Sequence, residues 1–380
     1  MPKQIGILGL GQMGSNYTKI LVEKLGMSPA DIVIFDIKDE RVAAAAAKYP
    51  GLSVAQSFEK FAQAASAYIV AVNTPAHHTE IDKLARFGAR RVLLESGTPS
   101  ILSEKPLAQN VVYLKQIRAV GRRYPDLRIH TALVIAFSPA RKKLIELRDE
   151  KGLVLREFTG SWGKNRAVLT EKRPTAGDRV DELIHMLEFG LGLLPEIDYV
   201  ELTAKMGYLS YVNEAAQREA HLRDSSFPLR PDNSTHLMLR AAMPSGTSTR
   251  MHLESSFTKA KQVRNVEGVF TRPDSDEPGY AFAVEFDQKG ADHLTVTELR
   301  SNTVTEEVLP CDKLCDLAEA FLRSARGEAT DPRLASIEWA GFFVHLMDAV
   351  EKSSGLELNG RWGRQRVLYK QPDQSQASTG

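Results

Sequence analysis

The hexapeptide Gly9-Leu10-Gly11-Gln12-Met13-Gly14 constrains this chain more than any other stretch. It follows an apolar run, Ile5 to Leu10, that reads as a strand. It opens a segment, Ser15 to Leu25, with the apolar spacing of an amphipathic helix. A strand that turns into a helix through G-x-G-x-x-G is a phosphate-binding turn for a dinucleotide. Gly9 permits the tight turn, Gly11 leaves room for a pyrophosphate on the helix N-terminus, and Gly14 lets helix and strand pack closely. Gln12 and Met13 sit between them and are counted with the cofactor residues. A second strand, Ile32 to Asp36, ends in a carboxylate about 20 residues beyond Gly14, where it can bind the adenosine ribose hydroxyls. Asp36 would repel a 2′-phosphate, so NAD is favoured over NADP, a preference that Lys38 and Arg41 moderate.

The rest of the first third keeps the same rhythm. A helix runs through Ala43 to Ala47, strands are expected at Tyr68 to Val72, Arg91 to Leu94 and Arg128 to Phe137, and helices at Glu80 to Phe87 and Val111 to Tyr124. Alternating strands and helices mean crossover connections and a doubly wound parallel sheet buried on both faces. After about residue 155 the pattern changes. A helix over Val180 to Leu194 gives way to strands with period-two alternation: Val200 to Val212, Thr235 to Met243, Thr247 to Phe257, Val263 to Thr271, Gly279 to Phe286 and His293 to Leu299. These predict a mainly antiparallel sheet, closed by helices at Asp312 to Arg326 and Leu334 to Lys352. The polar segment Asn213 to Asn233 reads as an inserted loop. The expected organisation is an α/β domain over 1–137, an α+β domain over 138–364 and a disordered tail over 365–380.

Composition excludes several classes. Lys plus Arg total 49 and Asp plus Glu 48, a net charge of +1, without the basic excess of a chain built to neutralise phosphate backbones. No apolar run approaches the roughly 18 residues that span a bilayer. Met1-Pro2-Lys3-Gln4 leads into the glycine turn without room for a signal peptide, so a cytoplasmic protein is expected. Cys311 and Cys315 make neither a disulfide framework nor a zinc site by themselves, and His236, His252 and His293 lie in strands without a ligand cluster, so no metal is expected.

A nicotinamide enzyme that oxidises an alcohol needs a base for the hydroxyl proton and a donor for the developing oxygen charge. Lys105, in Glu104-Lys105-Pro106, follows the later strands of the first domain, where ligands of open α/β sheets bind. Asp181 and His185 stand four apart and share a helical face, so the acid can orient the imidazole. Each has a plain alternative: a solvated lysine on a turn, or an acid and a histidine on an ordinary helix surface. Thr74 and Pro75 end a strand, and His77 or His78 after them can reach cofactor or substrate. Trp162, Lys164, Arg166 and Arg173 follow the first strand of the second domain and could bind an anionic substrate or equally form a solvated basic loop.

At these residues the chain resembles the Gfo/Idh/MocA oxidoreductases, named for glucose–fructose oxidoreductase and inositol dehydrogenase. The resemblance spans Ile5 to Gly355 and rests on Gly9-x-Gly11-x-x-Gly14, Thr74-Pro75, Glu104-Lys105-Pro106 and Asp181-x-x-x-His185. It implies a Rossmann domain joined to a domain with a large open antiparallel sheet whose face commonly forms a subunit interface, hence a homodimer or homotetramer. It implies that Lys105 hydrogen-bonds the reacting hydroxyl near the nicotinamide, that His185 is the general acid/base, and that Asp181 orients substrate or histidine. Thr74, Pro75, His78, Glu104 and Lys105 would join the glycine turn in holding NAD. The function implied is hydride transfer between NAD and a secondary alcohol or ketone of a sugar, nucleotide-sugar or cyclitol. Reduction of an imine or enone, or non-catalytic sensing of the cofactor, are the alternatives. Two departures stand out. The segment Ser96 to Leu102 intervenes between Arg91–Glu95 and Glu104, so either the loop is longer or the strand is Ile101 to Ser103. Asp178 and Arg179 replace glycines, which suggests a differently charged substrate pocket.

Overall fold

The apolar runs of the first third pair side by side as parallel strands. β1 (Ile5–Leu8), β2 (Ile32–Phe35), β3 (Ser53–Val54), β4 (Ala67–Val70), β5 (Ser100–Ser103) and β6 (Arg128–Thr131) form one sheet in the order β3-β2-β1-β4-β5-β6. The computed structural model describes residues 5–89, 99–165, 177–207, 214–223, 231–275, 277–287, 290–354 and 365–368. Every residue of β1 and β4 is buried, as a sheet covered on both faces requires. The chain reverses direction across the sheet between β1 and β4, so their carboxyl ends bound a crevice.

β5 runs directly into Glu104, which decides between the two placements of the strand before Lys105; the expected strand Arg91 to Leu94 lies outside the described residues. The strand expected over Arg128 to Phe137 stops at Thr131. Thr131 N–H there bonds the Ala335 carbonyl at 3.0 Å, and Val134–Phe137 winds into a 3₁₀ turn instead. A short helix, Phe58–Ala64, had no forecast; Ser57 caps it by accepting Lys60 N–H at 3.2 Å.

The chain divides into two compact units. One is Met1–Val134 with Lys313–Val344, the other Ile135–Asp312 with His345–Gly380. The expectation gave all of 138–364 to one domain, whereas Lys313–Val344 returns to the first unit. The reason is the apolar face of the helix Lys313–Ala325, where Leu317, Phe321 and Leu322 are buried as it packs on the turn Ile20–Lys24 and on β5. Arg128 fastens the far end, donating to the Ser324 carbonyl at 3.1 Å.

The second unit holds a nine-stranded sheet of β7 (Val154–Asn165), β8 (Tyr199–Gly207), β9 (Ser234–Ala242), β10 (Ser248–Ser256), β11 (Thr258–Thr271), β12 (Pro278–Asp287), β13 (Ala291–Glu298), β14 (Thr303–Pro310) and β15 (Gln365–Leu368). Their order is β14-β13-β12-β11-β7-β10-β9-β8-β15, antiparallel throughout except between β7 and β10. β10 alternates as its sequence predicts, with Thr249, Met251, Leu253 and Ser255 buried and Arg250 and His252 exposed. The helix Pro139–Lys151 packs against β13 and β14, and the helix Ile184–Leu191 against β7 and β10.

Three expectations fail here. The supposed loop Asn213–Asn233 contains a helix, Glu214–Arg223, because its Glu-Ala-Ala-Gln-Arg-Glu-Ala composition favours helix and both prolines come after it. The tail expected over 365–380 begins with β15, which pairs with β8 while Arg366 covers the Tyr199 ring at 3.5 Å; 369–380 lie outside the described residues. β14 was not expected, since it is an edge strand with most of its residues exposed. Among the described residues no helix is long and apolar enough to cross a membrane, and no group of three metal-ligating side chains is found.

Candidate dinucleotide-binding and catalytic residues

The glycine turn has the geometry that its sequence demands. Gly9 adopts φ +88°, and a Cβ there would stand 2.8 Å from the Ala71 carbonyl oxygen. A Cβ on Gly14 would lie 1.8 Å from the Gly9 carbonyl oxygen, so only glycine lets the helix Gln12–Lys19 begin this close to the turn. At Gly11, by contrast, a Cβ would meet only Arg41 Nη1, at 3.8 Å. Among the described residues no side chain caps the helix, and its first turn holds no acid, so the N–H groups of its positive end are left for an anion. That cradle fits a pyrophosphate.

Asp36 is buried behind this turn. Its Oδ2 accepts Leu10 N–H at 2.5 Å and its Oδ1 accepts Lys38 N–H at 2.9 Å, while Arg41 Nη1 stands 3.5 Å away. The carboxylate therefore braces the glycine turn, a role that sequence spacing, which offered it only to the ribose hydroxyls, does not reveal.

Lys105 lies just past the carboxyl end of β5, one strand from the crevice. Glu104 N–H bonds the Val70 carbonyl at 2.9 Å, keeping this turn in register with the end of β4. Glu104 Oε1 accepts the Tyr17 hydroxyl at 2.8 Å and its Oε2 accepts Lys105 N–H at 3.4 Å. Burial raises the Glu104 carboxyl above its usual range, against the opposing pull of Tyr17 and Lys105. The Lys105–Pro106 peptide is cis.

Thr74 and Pro75 open the 3₁₀ turn Thr74–Ala76 beyond β4, with Pro75 buried. His77 turns inward, its Nδ1 2.9 Å from the Pro106 carbonyl oxygen and its Nε2 3.1 Å from that of Val72. Burial lowers its pKa although both carbonyls pull it upward. His77 thus clamps the turn that carries Lys105. His78 stacks face to face on Tyr113 with centroids 3.8 Å apart.

In the second unit a π-helical turn, Arg179–Leu183, runs into Ile184–Leu191, so Asp181 and His185 sit one turn apart. Trp162 lies within β7 rather than after it, its ring stacked on His185 at 5.3 Å and 25°. The Trp162 Nε1 hydrogen is buried with no acceptor among the described residues. Arg264, opposite Trp162 on β11, places its guanidinium 5.5 Å from the indole centroid. Lys164 Nζ pairs with the buried Glu182 at 3.0 Å. Sequence singled out Trp162 and Lys164 but missed Glu182 and Arg264; period-two alternation along β7 puts 162 and 164 on one face, the only local signal available. Arg166 and Arg173 lie outside the described residues.

Asp178 and Arg179 do not make the charged pocket expected of them. Asp178 is wholly buried and accepts the Ser255 hydroxyl, and burial raises its pKa well above the usual range. Arg179 bonds Asp232 through its N–H at 2.8 Å and its Nη1 at 2.5 Å, and Glu351 through Nη2 at 2.7 Å. Gly177, at φ +118°, makes room for Asp232; a Cβ would meet Asp232 Oδ1 at 2.0 Å. Both residues fasten the start of the helix that carries His185. Glu188 is likewise spent, on Arg141 at 2.8 Å. Lys105 thus belongs to the first unit, and Asp181, His185, Trp162 and Lys164 to the second.

A six-stranded parallel sheet in this order, with a glycine turn after β1 and an acid after β2, defines a dinucleotide-binding Rossmann domain, here joined to a large mainly antiparallel sheet. Residues 4–120 match the family model of the NAD binding domain of 6-phosphogluconate dehydrogenase, so the first unit carries a nicotinamide-dinucleotide-binding domain. Whole-chain likeness comes from solved sugar oxidoreductases of the Gfo/Idh/MocA type. UDP-N-acetylglucosamine 3-dehydrogenase GnnA from Acidithiobacillus ferrooxidans is 15% identical, with a TM-score of 0.65 over 91% of this chain and 96% of that one. KijD10, a 3-ketoreductase from Actinomadura kijaniata solved with NADP and TDP-benzene, is 14% identical, with a TM-score of 0.67 over 93% and 98%. Levoglucosan dehydrogenase, in complex with NADH and L-sorbose, is 14% identical, with a TM-score of 0.68 over 97% and 99%. At these identities the likeness shows a shared fold. No curated protein matches the chain by sequence.

Proposed function

We propose that this chain is a nicotinamide-dependent oxidoreductase acting on a secondary alcohol or ketone of a sugar, nucleotide-sugar or cyclitol. The observation that carries the reading is the place of Lys105, just past the carboxyl end of β5 and at the same edge of the sheet as the glycine turn, on a turn held by Glu104 and His77. The substrates and cofactors named for the three similar structures support it. Gly9, Gly11, Gln12, Met13, Gly14 and Asp36 would hold the dinucleotide, with Thr74, Pro75, His78 and Glu104 beside its nicotinamide end. The bound nicotinamide supplies a two-electron acceptor or donor. Lys105 steadies the charge on the reacting oxygen, His185 takes or returns the hydroxyl proton, and Asp181 orients it. Trp162, buried between His185 and the Arg264 guanidinium, gives His185 a flat partner that fixes the plane of its ring.

Turnover is tested by NADH absorbance in a screen that includes UDP-N-acetylglucosamine, levoglucosan, uronates and cyclitols. Lys105→Ala and His185→Ala should each lower kcat by at least about 100-fold while NADH fluorescence titrations stay as in the parent. Parent-like turnover in both variants would refute these roles. Asp36 disfavours a 2′-phosphate, so Asp36→Ser should move the ratio of NAD to NADP affinity toward NADP by about 10-fold or more, roughly 1.4 kcal/mol. An unmoved ratio would show that Asp36 acts only on the turn. The exposed sheet face bearing Lys205, His236, Met238, Arg240 and His252 is proposed as a homo-oligomer interface; a solution mass of one chain would sink it.

A further inference from the structure

Tyr17 stands on the helix that begins at Gly11, and its ring is wholly buried. A tyrosine buried this deeply needs a partner for its hydroxyl, because an unpaired O–H in the interior costs more than the ring gains over phenylalanine. The partner is Glu104 Oε1, at 2.8 Å and 87 positions away in sequence. The other oxygen of the same carboxylate accepts Lys105 N–H at 3.4 Å. One carboxylate therefore joins the helix of the dinucleotide turn to the peptide that carries the Lys105 side chain.

We infer that Tyr17 is a positioning residue for Lys105, acting through the Glu104 carboxylate. The inference rests on the role proposed above for Lys105. Nothing in the volume of the site demands the hydroxyl, since phenylalanine would fill the same space. What the hydroxyl adds is direction: with Oε1 held, Oε2 stays aimed at Lys105 N–H, and the lysine leaves the turn at one angle. His77 holds the following peptide through the Pro106 carbonyl, so the Glu104 bond fixes the remaining side of the turn. The hydroxyl also helps to keep Glu104 ionised. Tyr17 from the helix and Lys105 from the turn are the titratable groups acting on that carboxyl, and both oppose the effect of burial.

The test compares Tyr17→Phe and Glu104→Gln with the parent in three measurements: NADH affinity by fluorescence, titration of the Glu104 carboxyl by carbon-13 NMR, and the pH profile of kcat on the sugar that the screen identifies. In Tyr17→Phe, Glu104 should titrate at higher pH and the acidic limb of kcat should move up with it. kcat at the optimum should fall about 10-fold, as displaced catalytic groups do, with NADH affinity unchanged. Glu104→Gln should abolish that limb. A Tyr17→Phe protein whose Glu104 titrates as in the parent overturns the inference, and this measurement needs no turnover. A lower kcat with an unmoved limb also overturns it, because that is what loosened packing alone would give. If instead Lys105→Ala keeps full turnover, the functional reading fails, and the NMR titration still decides whether Tyr17 governs Glu104.

Discussion

His130, on β6, is a histidine kept neutral by its surroundings. It is buried, its Nε2 stands 3.4 Å from the Ser324 hydroxyl, and burial with the nearby Arg128 charge lowers its pKa to about 4. In the unfolded chain the same ring titrates near 6.5. As pH falls from about 6.5 toward about 4 the unfolded chain takes up a proton that the folded chain refuses, so stability is intact above that window and lost within it. The loss is on the order of 3 kcal/mol. Urea midpoints measured across the window should fall for the parent and fall less for His130→Gln; equal slopes would remove His130 from the account. Other single residues differ in how far sequence reveals them. Gly9 and Gly14 were legible because the backbone itself excludes a Cβ there. Tyr17 was not, because its partner lies 87 positions away; His77 was singled out after Thr74-Pro75, but its inward turn was not, because the Pro106 carbonyl it meets lies 29 positions away.

Among the elements, the helix that carries Asp181 and His185 depends on its first residues. Arg179 is the cation facing the wholly buried Asp232, and it extends to Glu351 on the helix Ile337–Ser354. Replacing it with methionine leaves a buried carboxylate uncompensated, at a cost of about 3–5 kcal/mol. Arg179→Met should therefore lower the urea midpoint sharply, and Arg179→Met with Asp232→Leu should recover part of the loss, because neither member of the pair is then left without the other. A double variant as unstable as the single one would contradict this. Strands with one buried face, such as β10, could be read from their alternation. The edge strands β14 and β15 could not, since exposure on both sides leaves no periodic signature. The helix Glu214–Arg223 was missed for a related reason: its few apolar residues make no clear stripe, and its surroundings gave it the look of a loop.

Across the whole molecule the two units are not consecutive stretches of chain. Lys313–Val344 completes the first unit, with Ile337 Cδ1 positioned against Gly121 and the Ala335 carbonyl accepting Thr131 N–H. A fragment ending at Val134 would expose the surface that Leu317, Phe321 and Leu322 cover. It should bind a hydrophobic dye and unfold without a cooperative transition, whereas the full chain should not bind the dye. A cooperative, dye-silent fragment would show that the returning helices are dispensable. What sequence determined alone were features enforced within a few residues: the glycine turn, the acid ending β2, the run of parallel strands and the alternation of the second sheet. Backbone geometry and side-chain periodicity act locally, so residue type is enough to declare them. Tertiary structure decided which unit the last two helices joined, that Asp178 and Arg179 were spent as braces, that His77 faced inward, and that Tyr17 met Glu104. Each of these depends on which distant groups burial brings together, and no local pattern in the chain records that.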